Sequence, residues 1–561
     1  NLKMLKQRIS RAPLRSHVKS VNYAYDWKDG KNTVTKCLPG KWQRKREALV
    51  MSFVFLFVVT LLIELGFLIR PKDLSLSAIV PPPDLIVRAE KRSHYQPVPK
   101  NYKYTFFVSS NGEFRLPVTR ALRSLGFKMT KDVRTAHIIW DKWVQTKRYT
   151  TLHAWQRYNH IPGFQIWDNK DTFAQGFEAY QKRNPEKKLY FLPETFYLGN
   201  EKGLVAFEKR LENGGIHQPW VLKVPNVNNG RGIEMLGGNS QKLQNVVERV
   251  RLELHHLAKN ATFHNNISST DSRDEDDTND SKWKRKMHDN YVIQAFICNE
   301  LTWHGGKKFD LRMHWMIPSI DPLIVLFSDG FVRVGSSTYD EVDFSDTTRQ
   351  LTTMTHLDGE AKGTMDEFKQ LIHEHFYRNY RNLSKRFKGD PYQHVRKQMM
   401  EVIAETIAAF REVTFGNANV TLRPENAFSL YGADFVLDNN LDIWFLEPQG
   451  GPGFIEDYDF KVALHRDMLR STFSMMIEIQ EKLEKDPLAN VLPLGMKYGE
   501  WDIVYAGNWL YQYKEYNRPP PSQACNTSPM RLPIHLNKSS QLRGLNAWRT
   551  RQRSSRPAYV D

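Results

Sequence analysis

Four short apolar segments between Pro219 and Phe454 carry charged or amide side chains, and they constrain the fold of this 561-residue chain more than any other feature. Each segment has the length and apolar content of a buried strand. A charge on a buried strand costs free energy unless it is paired or bound to a ligand. The four segments together therefore predict strands built around a polar site.

The first two segments have the features of a phosphate-binding hairpin and of a strand that could contact a base. In Pro219 to Leu236, an apolar strand ends at Lys223, and a loop containing Gly230 and Gly232 leads into the next strand. Glycines let a backbone approach phosphates closely, and a lysine adds a point charge. Tyr291 to Ile297 is a mostly apolar strand that could offer backbone groups to an adenine edge. A plain hairpin and an ordinary core strand are the alternatives.

The third segment, Lys308 to Arg312, places charges at every second position. Alternate side chains of a strand point to opposite faces, so Lys308, Asp310 and Arg312 share one face. Phe309 and Leu311 lie on the other face. A surface strand with salt bridges is the alternative interpretation.

The fourth segment, Tyr431 to Phe454, contains two apolar strands around Asn439-Asn440, a turn signal. A two-residue turn would pair Asp434 with Phe445 and put Glu447 and Gln449 on the same face as Asp434. Two carboxylates and an amide oxygen are hard ligands that suit Mg²⁺ bridging phosphates. A turn longer or shorter by one residue would send Asp434 to the other face.

Upstream of these segments, short strand-like runs alternate with helical segments, which predicts an α+β fold that begins with a small α/β part. TFFV, AHIIWDKW and KLYFLP are the strand candidates, and Pro117 to Leu125 is a helix candidate. The chain is predicted to begin with a basic tail at 1–48, a transmembrane helix at 49–69 and a Pro-rich linker at 70–103. An α/β part at 104–215 and a catalytic region at 216–485 follow, the latter with a disordered acidic loop at 264–282. An irregular basic tail at 486–561 is predicted to pack in part, around WDIVYAGNWLY.

The transmembrane prediction rests on Leu49 to Ile69, about 21 apolar residues interrupted by one charge, Glu64. A buried core helix is the alternative. Residues 1–47 carry 13 Lys/Arg against three acidic residues, a surplus of ten that leaves +8 of the net +18 for the rest of the chain. The positive-inside rule then places the N-terminal tail in the cytosol and the remainder in the lumen. The remaining surplus is too small for a nucleic-acid-binding polycation. The basic ends favour an acidic protein tail or lipid headgroups as partners, and a solvated charged tail is the alternative.

The order of these elements resembles the tubulin tyrosine ligase-like family of ATP-grasp enzymes. Trp220, Lys223, Gly230, Gly232 and Ile233 match its W-x-x-K…G-x-G-I element, and Lys308 to Arg312 matches K-F-D-L-R at every letter. Further matches are Gln294 to Ile297 with Q-x-[YF]-I, Asn159 to Gly163 with N-H-x-P-G, Lys170-Asp171 with K-D, and Phe191 to Phe196 with F-x-P-x-T-[FY].

The resemblance implies an ATP-grasp fold and a ligase that uses ATP and Mg²⁺ to join an amino acid (Tyr, Glu or Gly) to tubulin or another protein with an acidic tail, through an acyl-phosphate. It also implies roles for individual residues. The cofactor-binding set is Lys223, Gly230, Arg231, Gly232, Ile233, Gln294, Ala295, Phe296, Ile297, Lys308 and Asp310; the metal set is Asp434, Glu447 and Gln449; the catalytic set is Arg312, Arg333 and Asp310.

Three departures from the family pattern leave two functions open. Gln449 stands where the family has a metal-binding Asn, Gln350 to Thr353 replaces H-L-T-N, and the proline after the lysine is shifted to Pro225. An added methylene displaces an amide ligand by about 1 Å, and a misplacement of that size can cost on the order of 100-fold in rate. The first hypothesis is therefore an active ligase, and the second is an impaired relative that binds tubulin or another acidic protein at a membrane. If tubulin is the substrate, the catalytic region lies in the cytosol, against the charge rule.

Overall fold

The computed structural model describes residues 97–109, 114–163, 167, 169–225, 230, 232–264, 291–320, 323–341, 343–344, 346–352, 361–415, 427–486, 501–506, 508–509, 511–516 and 518. These residues belong to one compact unit that spans 80–561. The basic tail at 1–48, the apolar run at 49–69 and the acidic loop after His264 lie outside the described residues. No helix within the described part of the chain is long and apolar enough to cross a membrane.

The first described part is a small parallel sheet in the order β2-β1-β3-β4. Its members are β1 (Thr105–Val108), β2 (Lys128–Met129), β3 (Ile138–Trp140) and β4 (Arg157–Tyr158), with helices α1 (Arg115–Ser124) and α2 (Thr146–Thr151) between strands. The strand predictions TFFV and AHIIWDKW are confirmed. The predicted helix is also present, and its buried residues include Pro117, Val118 and Leu122.

The second part is an antiparallel sheet in the order β5-β8-β6-β7. Its elements are β5 (Thr195–Tyr197), α4 (Glu201–Glu212), β6 (Trp220–Lys223), β7 (Ile233–Gly237), α5 (Ser240–His264) and β8 (Val292–Ala295); α3 (Lys170–Arg183) precedes them. Leu222 and Ile293 pack against Phe207 of α4 and Val246 of α5. The opposite face of this sheet is left for other contacts. The sheet therefore includes β5, which lies before the boundary predicted at 215.

The predicted strand at KLYFLP is wrong. Residues 188–193 form turns and irregular backbone, and the nearest strand is β5. Leu189 and Phe191 are buried in the main core, and the Phe191 carbonyl accepts a hydrogen bond from the Phe445 N–H. The apolar side chains therefore anchor this connection, while Pro193 lacks the N–H that a strand would use.

The third part is a seven-stranded sheet in the order β13-β12-β9-β10-β14-β15, with β11 paired to β10. Helices α3, α6 and α8 cover one face, where Phe309, Leu311, Phe368 and Phe410 join a single core. The elements are β9 (Lys307–Ile320), β10 (Leu323–Thr338), β11 (Ala361–Gly363), α6 (Met365–Arg378), α7 (Tyr380–Arg386), α8 (Pro391–Phe415), β12 (Ser429–Leu437), β13 (Ile443–Gln449), α9 (Asp459–Lys485), β14 (Trp501–Ala506) and β15 (Asn508–Trp509).

The segment around WDIVYAGNWLY packs more fully than the sequence indicates. Its strand β14 pairs antiparallel with β10, from Ile324 opposite Ala506 to Ser328 opposite Trp501. Val504 and Tyr505 are buried. The predicted tail at 486–561 therefore contributes two strands to the large sheet.

Candidate functional site

The charged face of β9 lies on the side of the large sheet opposite its helix-covered core. Phe309 and Leu311 are buried in that core, as predicted, while Lys308, Asp310 and Arg312 point to the other side. Arg333 of β10 stands directly opposite Asp310, and Asp434 of β12 stands opposite Arg312. Three neighbouring strands therefore bring these charges together.

The predicted register of the carboxylate hairpin (β12–β13) is wrong, but Asp434, Glu447 and Gln449 still lie together as predicted. Near the turn Phe435 pairs with Phe445, and Asp438 donates its N–H to the Asp442 carbonyl, so the loop is one residue longer than expected. A register shift between Asp434 and Phe435 then adds a further residue on β13, so Asp434 pairs with Glu447. The longer loop would have turned Asp434 away, and the β-bulge turns it back.

Asp434 accepts hydrogen bonds from two arginines, the partly buried Arg312 and the buried Arg333. Arg312 Nε lies 2.6 Å from Asp434 Oδ1, and Arg312 Nη2 lies 3.1 Å from Oδ2. Arg333 Nη2 is 3.0 Å from the same Oδ2, and Arg333 Nε is 2.5 Å from Asp310 Oδ1. Burial acts to raise the pKa of Asp434, but the two guanidinium groups outweigh it and lower this pKa to about 2. Burial acts to lower the pKa of Arg333, yet Asp310 and Asp434 hold it above its usual value.

Glu447 and Gln449 complete the carboxylate side of the site. Gln449 Nε2 is 2.7 Å from Glu447 Oε1 and 3.3 Å from Asp434 Oδ2. The ammonium group of Lys170, at the start of α3, lies 3.3 Å from Glu447 Oε2. The sequence marked Lys170 only through the K-D resemblance and gave it no role, and the structure brings it to the site.

Lys308 and Asp310 have further partners that the sequence did not indicate. Lys308 forms a buried ion pair with Glu300, and its ammonium lies 5.1 Å from the centre of the Phe296 ring. The Thr352 hydroxyl donates to Asp310 Oδ2. Burial raises the pKa of Glu300. A single acidic residue after an apolar strand was the signal that could have pointed to Glu300.

Lys223 faces the carboxylates from the second sheet, at the end of β6. Its ammonium donates to Gln294 Oε1 over 2.6 Å, and Gln294 Nε2 donates to the Thr195 hydroxyl over 3.0 Å. Burial lowers the pKa of Lys223 to about 8, the nearby Glu447 acting in the opposite direction. Lys223 therefore remains mostly protonated at neutral pH, next to a neutral hydrogen-bond acceptor.

The glycine loop after Lys223 is described only in part. Gly230 and Gly232 have φ angles of 70° and 68°, which a residue with a Cβ rarely adopts, and Ile233 begins β7 as predicted. Arg231 lies outside the described residues. Val224 donates its N–H to the Gly232 carbonyl, which closes the base of the loop.

The strand expected to hold adenine already uses two of its backbone N–H groups in hydrogen bonds to other parts of the protein. The N–H of Ala295 donates to the Glu194 carbonyl, and that of Phe296 donates to the Pro219 carbonyl. These two N–H groups are therefore committed to the sheet. Phe296 packs on Val221 and Met235, and Ile297 packs on Val436 and Trp444.

A cavity of about 530 Å³ opens between the two sheets and α3. Its polar end is formed by Lys170, Lys223, Gln294 and Glu447, and its apolar wall includes Phe173, Phe177, Leu192, Phe196 and Leu446. Of the predicted cofactor-binding residues only Lys223 and Gln294 line this cavity. The other described members, Gly230, Gly232, Ile233, Ala295, Phe296, Ile297, Lys308 and Asp310, lie outside its lining.

One segment that departs from the family pattern and one that matches it have contacts within the protein. Gln350 is buried, and its amide donates to the Asp340 and Asp343 carbonyls. In the N-H-x-P-G segment, Asn159 Nδ2 donates to the Asp141 carbonyl and His160 Nε2 lies 3.0 Å from the same oxygen. Asn159 and His160 therefore hold a turn of the first sheet.

The donor set at the carboxylate hairpin fits a hard divalent cation. Asp434 and Glu447 are paired across the strands, and the Gln449 amide lies within hydrogen-bond distance of both. Mg²⁺ uses one or two carboxylates and completes its shell with water and phosphate oxygens. Within the described residues, no group of three or more His, Cys, Asp or Glu side chains is placed to hold a metal ion.

Comparisons with known proteins identify the family of this chain. A sequence model of the tubulin-tyrosine ligase family matches residues 148–487, more than half of the chain. Mouse tubulin monoglutamylase TTLL4 is 24% identical over 343 residues, which are 60% of this chain but only 25% of that protein. Rat probable tubulin polyglutamylase TTLL9 is 23% identical over 395 residues, covering 67% of this chain and 78% of the relative.

A solved structure also resembles the chain at low identity. The C-terminal domain of K. lactis Pby1, described as an ATP-grasp enzyme that interacts with the mRNA decapping enzyme Dcp2, superposes with a TM-score of 0.46 and 15% identity. The similarity covers 72% of this chain and 98% of the solved chain. A similarity of that size adds nothing to the assignment.

Proposed function

This chain belongs to the tubulin-tyrosine ligase family, and from that premise we propose that it is an ATP-dependent ligase that joins an amino acid to a protein through an acyl-phosphate. Tubulin is the first protein to test, with glutamate as the amino acid, because the two relatives reported above are glutamylases by name. Only a quarter of TTLL4 is spanned, so substrate and partners remain part of the proposal.

The observation that carries the proposal is that Lys170, Lys223 and Glu447 line one cavity, while Asp434 pairs with Glu447 across the neighbouring strands. Lysine ammonium groups provide charge for phosphate oxygens, and Mg²⁺, which Asp434 and Glu447 would hold, would supply further positive charge to neutralise them. Arg312 and Arg333, held by Asp434 and Asp310, would stabilise the negative charge that develops on the acyl-phosphate. Their buried ion pairs keep both guanidinium groups oriented before substrate arrives.

The test is amino-acid transfer by the full chain in detergent. We expect labelled glutamate, glycine or tyrosine to enter tubulin when ATP and Mg²⁺ are present, and Glu447→Gln to abolish the transfer. Glu484→Gln is the matched control, because Glu484 is half-buried and bonded to the Val98 N–H at a distance from the site. Absence of nucleotide binding by the intact chain would refute the ligase.

An impaired relative that only binds acidic proteins is the second candidate, and it is motivated by Gln449. The amide nitrogen of Gln449 lies between the two carboxylates, where a ligase needs a cation. This candidate predicts that tubulin tail peptides bind equally well with and without ATP, and equally well to Glu447→Gln. A requirement for ATP in that binding would exclude it.

We also propose that residues 49–69 anchor the protein in a membrane, on the basis of their apolar character, which only Glu64 interrupts. The side on which the catalytic region lies decides whether tubulin can be reached. Protease protection and glycosidase sensitivity of the full chain in sealed microsomes distinguish the two topologies. Protection with a glycosidase-sensitive shift would place the region in the lumen and remove tubulin as a substrate.

A further inference from the structure

The oxygens of Asp434 and Glu447 are all engaged by donors of the chain itself. Arg312 occupies Asp434 Oδ1, and Asp434 Oδ2 accepts from Arg312, Arg333 and Gln449. Glu447 Oε1 accepts from Gln449, while Glu447 Oε2 faces Lys170. A divalent cation that binds both carboxylates must therefore compete with these donors for the oxygens.

Gln449 differs from the other donors because it is neutral and contacts both carboxylates through one atom. Its nitrogen lies 2.7 Å from Glu447 Oε1 and 3.3 Å from Asp434 Oδ2. Only the amide NH₂ can donate to two carboxylate oxygens, so the chemistry assigns that end of the side chain. Two carboxylates directly opposite each other on antiparallel strands repel, and a bridging donor relieves that repulsion.

The length of the side chain is what makes the bridge. Gln449 stands opposite Gly432, two positions beyond Glu447 on the same strand face. From there the amide must extend back along the strand to reach between the two carboxylates. The 3.3 Å contact is already close to the limit for a hydrogen bond, so a side chain one methylene shorter would lose at least one contact.

We propose that Gln449 is a tethered occupant of the metal position, which holds the carboxylate pair together without a cation and must rotate away when Mg²⁺ binds. The proposal rests on the proposed function and concerns the same site. Rotation would turn the amide oxygen toward the cation, so one residue stabilises the metal-free site and weakens its affinity for metal. The chain would then need a higher Mg²⁺ concentration than a relative with Asn at this position.

The experiment is a titration of the full chain in detergent with Mn²⁺ alone, followed by the electron paramagnetic resonance signal of free Mn²⁺. Hydrogen bonds to charged groups are among the stronger ones in proteins, so Gln449→Asn is expected to tighten Mn²⁺ binding about tenfold. The same substitution should lower the metal-free melting temperature by a few degrees and enlarge the rise that metal produces. Equal or weaker Mn²⁺ binding by Gln449→Asn would overturn the proposal.

Two further variants keep the result interpretable. Gln449→Met keeps the length but removes the amide, and we expect metal binding no weaker than that of the unaltered chain, because a lost ligand is offset by a lost competitor. Gln480→Asn is the control, since Gln480 is a buried glutamine bonded to His137 and the Trp155 carbonyl. It should lower the melting temperature without changing Mn²⁺ affinity.

Binding of a fluorescent ATP analogue without metal is measured in parallel. If the analogue does not bind, the proposed function fails, while the metal titration still decides the role of Gln449. If the analogue binds and Gln449→Met weakens Mn²⁺ binding, Gln449 is an ordinary ligand and the tethered-occupant proposal fails alone.

Discussion

Two hairpins face each other across the candidate site, and they handle charge in opposite ways. In the carboxylate hairpin, Asp434 and Glu447 are matched by arginine, lysine and amide donors. In the lysine hairpin (β6–β7), Lys223 donates to a neutral amide oxygen, and burial lowers its pKa to about 8. One hairpin is therefore neutralised by the fold, whereas the other retains a cation that a bound anion would stabilise.

This difference predicts that substitutions in the two hairpins change different quantities, the folding stability in one hairpin and the ligand affinity in the other. Removing one partner of a buried ion pair leaves an uncompensated charge, so substitutions in the carboxylate hairpin should reduce folding stability. Lys223 is partly buried and donates its hydrogen bond to a neutral amide, so removing its charge relieves a desolvation cost. Substitutions in the lysine hairpin should therefore reduce ligand binding and leave stability intact. Each prediction below tests one side of this contrast.

The largest expected effect is on stability, at Arg333. Arg333→Met leaves Asp310 and Asp434 buried without this partner, and breaking such a pair costs about 3–5 kcal/mol. Urea unfolding measures the change. Arg349→Met is the control, because Arg349 is exposed and pairs with exposed aspartates, and it should cost less than about 1 kcal/mol. Equal costs for the two variants would contradict the contrast.

The next effect is on nucleotide binding, at Lys223. A charge-assisted hydrogen bond contributes about 1.5–3 kcal/mol, so Lys223→Met should weaken binding of an ATP analogue by about 10- to 100-fold. The melting temperature should stay the same or rise. Lys242→Met, at an exposed position early in α5, should change neither quantity. A large loss of stability in Lys223→Met would show that the lysine is structural.

The pH dependence of nucleotide binding should follow Lys223. Its ammonium form predominates below a pKa of about 8 and is lost as pH rises through that value, while phosphate binding favours the charged form. Affinity should therefore fall by up to about tenfold per pH unit above 8, the limit for one linked proton. Titrations from pH 7 to 9.5 measure the slope, and Lys223→Arg should flatten it. An unchanged slope in that variant would assign the proton to another group.

The smallest effect is expected from a methyl group added inside the carboxylate hairpin. A Cβ at Gly432 would lie 3.0 Å from Arg312 Cδ and 3.1 Å from Gln449 Cβ. Contacts at these distances require the neighbouring atoms to shift by only a few tenths of an ångström, so Gly432→Ala should cost about 1 kcal/mol, the low end for overpacking. Gly451→Ala is the control, because a Cβ added there would have no described atom within 4 Å. Thermal unfolding of the two variants gives the difference.

Local pattern was sufficient for the parts of the site that depend on a single strand. Alternation along Lys308 to Arg312 predicted which side chains enter the core, and the structure agrees, because a strand has no other way to orient them. Lys223 ends its strand, and Ile233 begins the next, as the glycine loop indicated. In contrast, KLYFLP has strand composition but forms an irregular connection, because its apolar side chains Leu189 and Phe191 pack in the core without strand pairing.

The sequence by itself determined the α+β class, the family and the identity of the charged residues that meet. Only the tertiary structure decided how they meet, because a longer turn and a β-bulge offset each other in the carboxylate hairpin, and neither has a strong local signal. Partners distant in the chain, such as Glu300 for Lys308 and Lys170 for Glu447, depend on strand order and helix packing. The length of Gln449 was visible in the sequence as a departure from the family, but the bridge between two carboxylates exists only where the strands place them opposite each other.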